Sequence, residues 1–149
     1  MVREIYALGA LLLGMSALLL GNGLFGTLTA LRMSMEGFDP TVIGVVVSCN
    51  MIGFVLGCLY GQRVIANVGA IRCLTAFAAL MSICALLLPM HVVPYTWIPI
   101  RVVFGFSSAM VFMVAESWLA GSASPGNKGR VFSIYMVINK GCFALGQLL

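Results

Sequence analysis

The stretch WIPIRVVFGFSSAMVFMVAESWLAGSASPGNKGR (residues 97–130) decides the fold of this chain. It begins as an apolar run long enough to cross a bilayer, yet it carries Arg101 near one end and Glu116 near the other. On an α-helix these two charges fall roughly 60° apart, and Gly105 and Ser108 lie on the same side. This spacing predicts a membrane helix with one polar face. Such a face could line a water-filled cavity. The alternative is that the two charges near the helix ends extend to the two headgroup layers of the bilayer.

Composition places the whole chain in the membrane class. Hydrophobic residues make up 62% of the 149 residues and charged residues only 8%, and the mean hydropathy is +1.11. A soluble domain carries about 25% charged residues and could not keep this much apolar surface out of water. The formal charge of +4 comes without any basic run, so we expect the lipid bilayer as a partner and no nucleic acid.

No group of residues points to enzyme chemistry. The five cysteines form no C-x-x-C pair, which predicts small packing residues and neither disulfides nor a metal site. The glycine-rich stretches follow no predicted strand, so they are not phosphate-binding loops. We therefore expect no catalytic residue and no cofactor.

Five apolar spans follow one another along the chain. The first is too long for the hydrophobic core of a signal peptide and offers no clear cleavage site, so we expect it to be retained. Asp39-Pro40-Thr41 predicts the start of the second span, because proline is favoured in the first turn of a helix. The predicted spans are residues 5–31, 41–60, 73–90, 98–120 and 130–149.

Glycines recur at four-residue spacing along the second span, at Gly53, Gly57 and Gly61. Small residues at this spacing let two helix backbones approach closely. The second span is therefore predicted to pack tightly against another helix.

Lysine and arginine predict the orientation, because cytoplasmic connections carry an excess of them. With the N-terminus in the cytoplasm, Arg32 and Arg101 fall towards the outside. The basic residues on the cytoplasmic side are then Arg3, Arg63, Arg72, Lys128 and Arg130.

Strongly polar residues lie near mid-depth in three spans: Asn22 in the first, Asn50 in the second and Lys140 in the fifth. Ser107 and Ser108 occupy the corresponding depth of the fourth. Polar groups inside a membrane usually face a protein interior or a cavity, so spans one, two, four and five are predicted to surround something polar. The alternative for the asparagines is that they form hydrogen bonds between helices.

Lys140 belongs to a narrow polar stripe with Ser133 and Gln147, since residues seven apart on a helix lie within roughly 20° of one another. We expect this stripe to face a cavity, where Lys140 would bind an anionic group or pair with a carboxylate. Glu116 is a candidate by charge, although its depth argues against direct contact. The alternative is a lysine buried against backbone carbonyls.

Three motifs resemble one family, the major facilitator superfamily of transporters. RVVFGFSSA (101–109) resembles its fourth-helix motif, and GCLYGQR (57–63), continuing to GAIR (69–72), is similar to its signature loop between helices two and three. AESWL (115–119), with Gly129-Arg130 and Tyr135 after it, looks like one bacterial branch of solute or drug transporters. The family's usual aspartate is replaced by Gly61, and the signature loop is longer than the common form.

The resemblance implies five helices of a six-helix N-terminal domain, with span three outside, in the bacterial inner membrane. Family members have twelve spans, so we expect residues 1–149 to be a partial N-terminal domain whose partner is a missing C-terminal half. The implied function is secondary transport of a small solute, with or without a proton, by alternating access; the alternative is a structural or accessory membrane protein that associates through its glycine faces. The candidate cavity residues are Asn22, Asn50, Arg101, Glu116, Lys140 and Gln147, and the candidate cytoplasmic gating residues are Gly57, Gly61, Arg63, Gly69 and Arg72.

Overall fold

A computed structural model describes residues 2–90, 93–122 and 128–148, which are helical over almost their whole length. The helices are α1 (Val2–Met35), α2 (Pro40–Val68), α3 (Ala70–Leu87), α4 (Pro94–Ser122) and α5 (Lys128–Leu148). Each contains a segment long and apolar enough to cross a membrane: Leu12–Met35, Pro40–Val68, Ala70–Leu87, Pro94–Gly121 and Gly129–Leu148. The all-α membrane fold with five spans, predicted from composition, is confirmed for these residues.

A short polar connection separates α1 from α2. Gly37 adopts a φ of 77°, a left-handed conformation that glycine tolerates best. Asp39 then caps α2: its Oδ1 accepts a hydrogen bond of 2.8 Å from the backbone N–H of Thr41, and Pro40 opens the helix. Hydrogen bonds from Thr41 hold the pKa of Asp39 below its ordinary value.

The segment predicted as a loop between the second and third spans is helical except at Gly69. That glycine has a φ of 93°, and its N–H donates to the carbonyl of Ile65 at 2.9 Å, which closes α2. One residue suffices for the turn because a left-handed glycine ends a helix directly. Arg63 and Arg72 therefore lie on helices, with exposed side chains. The polar residues of this segment do not break α2.

The chain divides into two compact units. The central unit comprises residues 29–114, and the terminal unit comprises residues 1–28 with 115–149. Helices α1 and α4 contribute to both. Of the most apolar segment of α4, 56% is buried, against 17–22% in the other helices. Helix α4 is thus the most buried of the described helices.

In the central unit, α2 and α4 pack through reciprocal glycines. A β-carbon at Gly53 would overlap the carbonyl of Val102, and one at Gly105 would overlap the carbonyl of Asn50. One added at Gly57 would lie 2.9 Å from the Phe106 carbonyl oxygen. The close approach predicted from the glycine spacing is confirmed, and the partner is α4.

A small apolar core lies beside this contact. Cys73 of α3 packs with Met110 and Val114 of α4, all almost fully buried. The rings of Phe77 and Phe106 lie 5.7 Å apart between centroids, in a tilted arrangement. Cys73 serves here as a small hydrophobic residue, as is usual for a buried thiol.

In the terminal unit, α1 and α5 also pack through glycines. A β-carbon at Gly146 would overlap the carbonyl of Leu20, and one at Gly23 would overlap the carbonyl of Phe143. The hydroxyl of Thr27 donates to the backbone carbonyl of Gln147 at 3.5 Å. The sequence did not predict this contact, because Gly23 and Gly146 belong to no series of glycines at four-residue spacing.

Candidate functional site

A buried polar cluster lies in the terminal unit, where α4 and α5 bring Glu116, Tyr135 and Asn139 together; we call it the Glu–Tyr–Asn cluster. Tyr135 is only 1% exposed and Asn139 8%, whereas Glu116 is half-buried. Tyr135 and Asn139 are four residues apart and therefore share one face of α5. The neighbours of the Tyr135 hydroxyl are the Asn139 amide and the Glu116 carboxylate.

Two atoms of the cluster are unsatisfied. Among the described residues, neither the Tyr135 hydroxyl nor Asn139 Oδ1 completes a hydrogen bond. A buried polar atom without a partner costs about 1–3 kcal/mol. Such a group in a folded protein usually reflects a functional role or a bound water or ion.

The cluster extends inward from one end of the two helices. At about 1.5 Å per residue, Glu116 lies about 9 Å from the end of α4, and Asn139 lies about 16 Å from the start of α5. An apolar bilayer core is about 30 Å thick, so Asn139 is near mid-depth. The three polar groups therefore span the distance from near the helix ends to the middle of the membrane-crossing segment.

A second asparagine with a buried side-chain oxygen, the half-buried Asn50, lies in the central unit. Its Oδ1 also has no hydrogen-bond partner among the described residues, and its backbone carbonyl forms the close contact with Gly105. The alternative in which Asn50 bonds to a neighbouring helix through this oxygen is therefore not observed. The carboxamide oxygen keeps its full capacity to accept a hydrogen bond.

A short sequence similarity relates the segments that begin with the two asparagines. NMIGFVLG (50–57) and NKGCFALG (139–146) share Asn, Phe, Leu and Gly at equivalent positions. In both segments the asparagine oxygen is buried without a partner. In both the final glycine packs on a backbone carbonyl, that of Phe106 for the first segment and that of Leu20 for the second.

Sequence reasoning missed Asn139 and gave Tyr135 no role. The charge of the adjacent Lys140 predicted a functional face on the other side of α5. Tyr135 was identified only as part of a family motif. A comparison of the second span with the fifth would have identified Asn139 as the counterpart of Asn50.

Lys140 lies apart from the cluster. Its side chain is exposed on α5, as are those of Ser133 and Gln147, so the polar stripe predicted from the sequence lies on one exposed face. Within the part of the chain that the structure describes, Lys140 and Glu116 form no ion pair. The structure does not bring these two residues together, in line with their different depths.

Arg101 is buried in the central unit and only 2% exposed. One turn before it, Trp97 is 1% exposed. Arg101 interacts with neighbouring residues, whereas a charged side chain that extended to the headgroups would be exposed. This burial argues against the headgroup interpretation.

The two serines at the depth of the candidate cavity are satisfied on their own helix. The Ser107 hydroxyl donates to the carbonyl of Val103 and the Ser108 hydroxyl to that of Gly105, each at 2.8 Å. Hydroxyls bonded in this way are compatible with an apolar helix and do not need a ligand.

The other candidates occupy varied positions. Asn22 is half-buried on α1, and Gln147 is exposed on α5. Gly61 is buried on α2, where an added β-carbon would lie 2.6 Å from the sulfur of Met113. Of the gating candidates, only Gly69 makes a turn.

Five helices long and apolar enough to cross a membrane, in the described part of the chain, define a polytopic α-helical membrane protein. The chain belongs to the Major Facilitator Superfamily, whose family model matches residues 11–149. This confirms the resemblance found in the motifs.

The curated relatives are transporters by name. The chain is 30% identical over 139 residues to the uncharacterized MFS-type transporter YcaD of Escherichia coli O45:K1 (strain S88 / ExPEC), and equally to the protein of that name from Escherichia coli O139:H28 (strain E24377A / ETEC). Each alignment covers 93% of this chain but 36% of the relative, so the chain spans about a third of the length of the curated relatives it matches. No solved structure matches the chain.

Proposed function

We propose that this chain forms part of a secondary transporter that moves a small solute across the membrane by alternating access. The observation that carries the proposal is the repeated pair of buried, unpartnered asparagine oxygens at equivalent positions of α2 and α5. Many transporter folds are built from internal repeats, and their solutes bind near the bilayer midplane. A hydrogen bond from a solute would satisfy such oxygens.

The alternative is a structural or accessory protein that associates with partners through its glycine faces. In the central unit the glycines of α2 already lie against α4, and a β-carbon at Gly53 or Gly57 would meet that helix. A helix face that already packs against another helix of the same chain has little exposed surface with which to bind a partner protein. This weighs in favour of transport.

The proposal includes the orientation and the setting of the chain. We propose a cytoplasmic N-terminus, since lysine and arginine then gather on that side, and a bacterial inner membrane, which the resemblance to a bacterial transporter branch supports. The predicted cytoplasmic connection 121–130 includes residues 123–127, which lie outside the described part of the chain. A C-terminal half of the transporter completes the cavity, since the relatives are much longer than the part matched here.

A proton is the proposed coupling ion. Glu116 and Lys140 are titratable side chains within membrane-spanning helices, where ionisable residues are costly and usually functional. Lys140 is proposed to line the cavity with Ser133 and Gln147, because an exposed lysine near mid-depth would otherwise face lipid.

Single cysteines test the proposal. In a background without the native cysteines, Lys140→Cys should react with a membrane-impermeant thiol reagent, because water fills the cavity. Leu145→Cys, an exposed position roughly 140° away around α5, should not react. Gly37→Cys should react from outside the cell. Equal reactivity at 140 and 145, or none at 140 from either side, would remove Lys140 from a cavity.

A further inference from the structure

Three sulfur-bearing side chains lie near one another in the central unit; we call them the sulfur cluster. They are Cys73 of α3 and the pair Met110 and Met113 of α4. A β-carbon added at Gly61 of α2 would lie 2.6 Å from the Met113 sulfur and 2.9 Å from the Met110 sulfur. The two thioether sulfurs therefore lie over the same glycine, and their separation is at most the sum of these two distances.

The missing side chain at Gly61 makes this arrangement possible. Met110 and Met113 are three residues apart and share one face of α4. A residue with a β-carbon at position 61 would push one or both sulfurs away. Methionine has three rotatable side-chain bonds, so the two sulfurs can adjust their separation without a movement of the helix. Met113 is only half-buried, which leaves one sulfur within reach of an ion from outside the core.

Cys73 adds a thiol to the two thioethers. Its side chain is almost fully buried and packs with Met110. The Cys73 Sγ donates a hydrogen bond of 3.9 Å to the backbone carbonyl of Val64, which is a weak bond for a weak donor. The protein therefore holds the thiol proton loosely, and this proton must leave when a thiol binds a metal.

Three sulfur ligands select a particular class of ion. Thioether and thiolate sulfurs are soft ligands that favour Cu(I), whereas Mg²⁺ and Ca²⁺ prefer oxygen. With metal–sulfur bonds of about 2.3 Å, one ion bridges two sulfurs up to about 4.6 Å apart, a separation within the limit set at Gly61. Two neutral thioethers and one thiolate also cancel the charge of a monovalent ion, which lowers its cost inside membrane-spanning helices. Among the described residues, no group of three His, Cys, Asp or Glu side chains could hold the ion instead.

We propose that the sulfur cluster binds one soft monovalent cation of the Cu(I) class. Met110 and Met113 are the neutral ligands, and Cys73 binds as the thiolate. The thiol proton passes to water as the metal–sulfur bond forms, and the ion keeps its oxidation state throughout. The bound ion links α3 to α4 beside the contact of α4 with α2. This site is independent of the proposed transport function.

Titration with Ag(I), a diamagnetic ion of the same class that is stable in air, tests the site directly. The chain is placed in lipid nanodiscs with methionine labelled with ¹³C in its methyl group. The signals of Met110 and Met113 are assigned by their loss in Met110→Leu and Met113→Leu. We expect the two signals to shift together and to saturate with one bound ion. The signal of Met51, which is exposed on α2, should not shift, and Mg²⁺ should shift none of the three.

Ligand variants separate coordination from packing. Met113→Leu keeps a side chain of similar volume and removes one sulfur, so it should weaken the Ag(I) affinity read from the Met110 signal by about tenfold or more. Cys73→Ser replaces the thiol by a harder ligand and should weaken the affinity by a similar factor. Cys58→Ser removes an exposed thiol elsewhere on the chain and should leave the affinity unchanged.

A glycine variant tests the geometry without removing a ligand. Gly61→Ala keeps all three sulfurs but crowds the two thioethers, so it should weaken Ag(I) binding by about threefold or more. Gly44→Ala is the matched control on the same helix, because a β-carbon there meets nothing within 4 Å.

Three results would overturn the proposal. The first is the absence of a saturable shift of the Met110 and Met113 signals in the unmodified chain, which would leave these side chains as packing residues only. The second is an equal shift of the Met51 signal, which would show that Ag(I) binds any methionine of the chain. The third is full Ag(I) affinity in Met113→Leu or in Cys73→Ser.

Discussion

The contact between α2 and α4 in the central unit uses four glycines, at positions 53, 57, 61 and 105, whereas the contact between α1 and α5 in the terminal unit uses two, at positions 23 and 146. At Gly53, Gly105, Gly23 and Gly146 the backbones approach directly. Each unit also holds a buried asparagine oxygen without a hydrogen-bond partner among the described residues, Asn50 Oδ1 in the central unit and Asn139 Oδ1 in the terminal unit.

The two units therefore differ in the number of close glycine contacts. Many close contacts in the central unit favour a single tight arrangement, because dispersion contacts add up over a close-packed interface. A buried polar group costs free energy in either unit unless a partner satisfies it, and in the terminal unit the Tyr135 hydroxyl has Asn139 and Glu116 beside it.

A large side chain at Gly53 is expected to have the largest effect on the close contact between α2 and α4. Gly53→Leu should lower the free energy of unfolding by more than about 3 kcal/mol, because the side chain meets the backbone of Val102 and backbone cannot move aside cheaply. Detergent-induced unfolding followed by circular dichroism measures the change. Gly44→Leu on the same helix is the control, since a β-carbon at Gly44 meets nothing within 4 Å. Equal losses in the two variants would show that helix propensity, and not the α4 contact, sets the cost.

Arg101 tests whether the central unit uses more than shape. Arg101→Lys should lower the free energy of unfolding by about 2 kcal/mol, because lysine keeps the charge but loses the planar, five-donor guanidinium. Arg32→Lys is the matched control: Arg32 is exposed and pairs with Glu36, so we expect a change below about 0.5 kcal/mol. The same unfolding assay applies. Full stability in Arg101→Lys would mean that positive charge alone is needed at this position.

Gly146 gives the smaller effect expected of the terminal unit. Gly146→Ala should cost about 1–2 kcal/mol, because the added methyl group overlaps the carbonyl of Leu20 but the contact contains fewer glycines to disturb. Gly141→Ala on the same helix has open space and should be neutral or slightly stabilising, since alanine favours helix. Thermal denaturation in detergent compares the two. A larger loss in Gly146→Ala than in Gly53→Leu would reverse the ranking of the two contacts.

Local sequence predicted much of the fold. The apolar runs predicted five membrane-spanning helices, and Asp39-Pro40-Thr41 predicted where α2 begins, because capping depends on a few adjacent residues. Gly53 and Gly57 predicted a close helix contact, since their spacing places them on one face. The motifs predicted the family. These features depend on composition, periodicity and neighbours in the chain.

Sequence did less well where a residue's surroundings come from another helix. Arg63 and Arg72 suggested a loop, yet they lie on helices, because the single residue Gly69 makes the turn between α2 and α3. The charge of Lys140 predicted a functional role for this residue, whereas no role was predicted for the neighbouring Asn139. Which side of α5 is buried depends on the contact between Gly146 and the backbone of Leu20 in α1.

The sequence by itself determined the class of this protein, its helices and the residues able to approach another backbone. Only the tertiary structure decided that α4 is the partner of Gly53, that Arg101 is buried, and that Tyr135 lies beside Glu116 while Lys140 stays exposed. The physical reason is that helix formation and membrane partition depend on residues near one another in the chain. Burial and hydrogen bonding of a polar group depend on which distant helix covers it, and no local pattern records that choice.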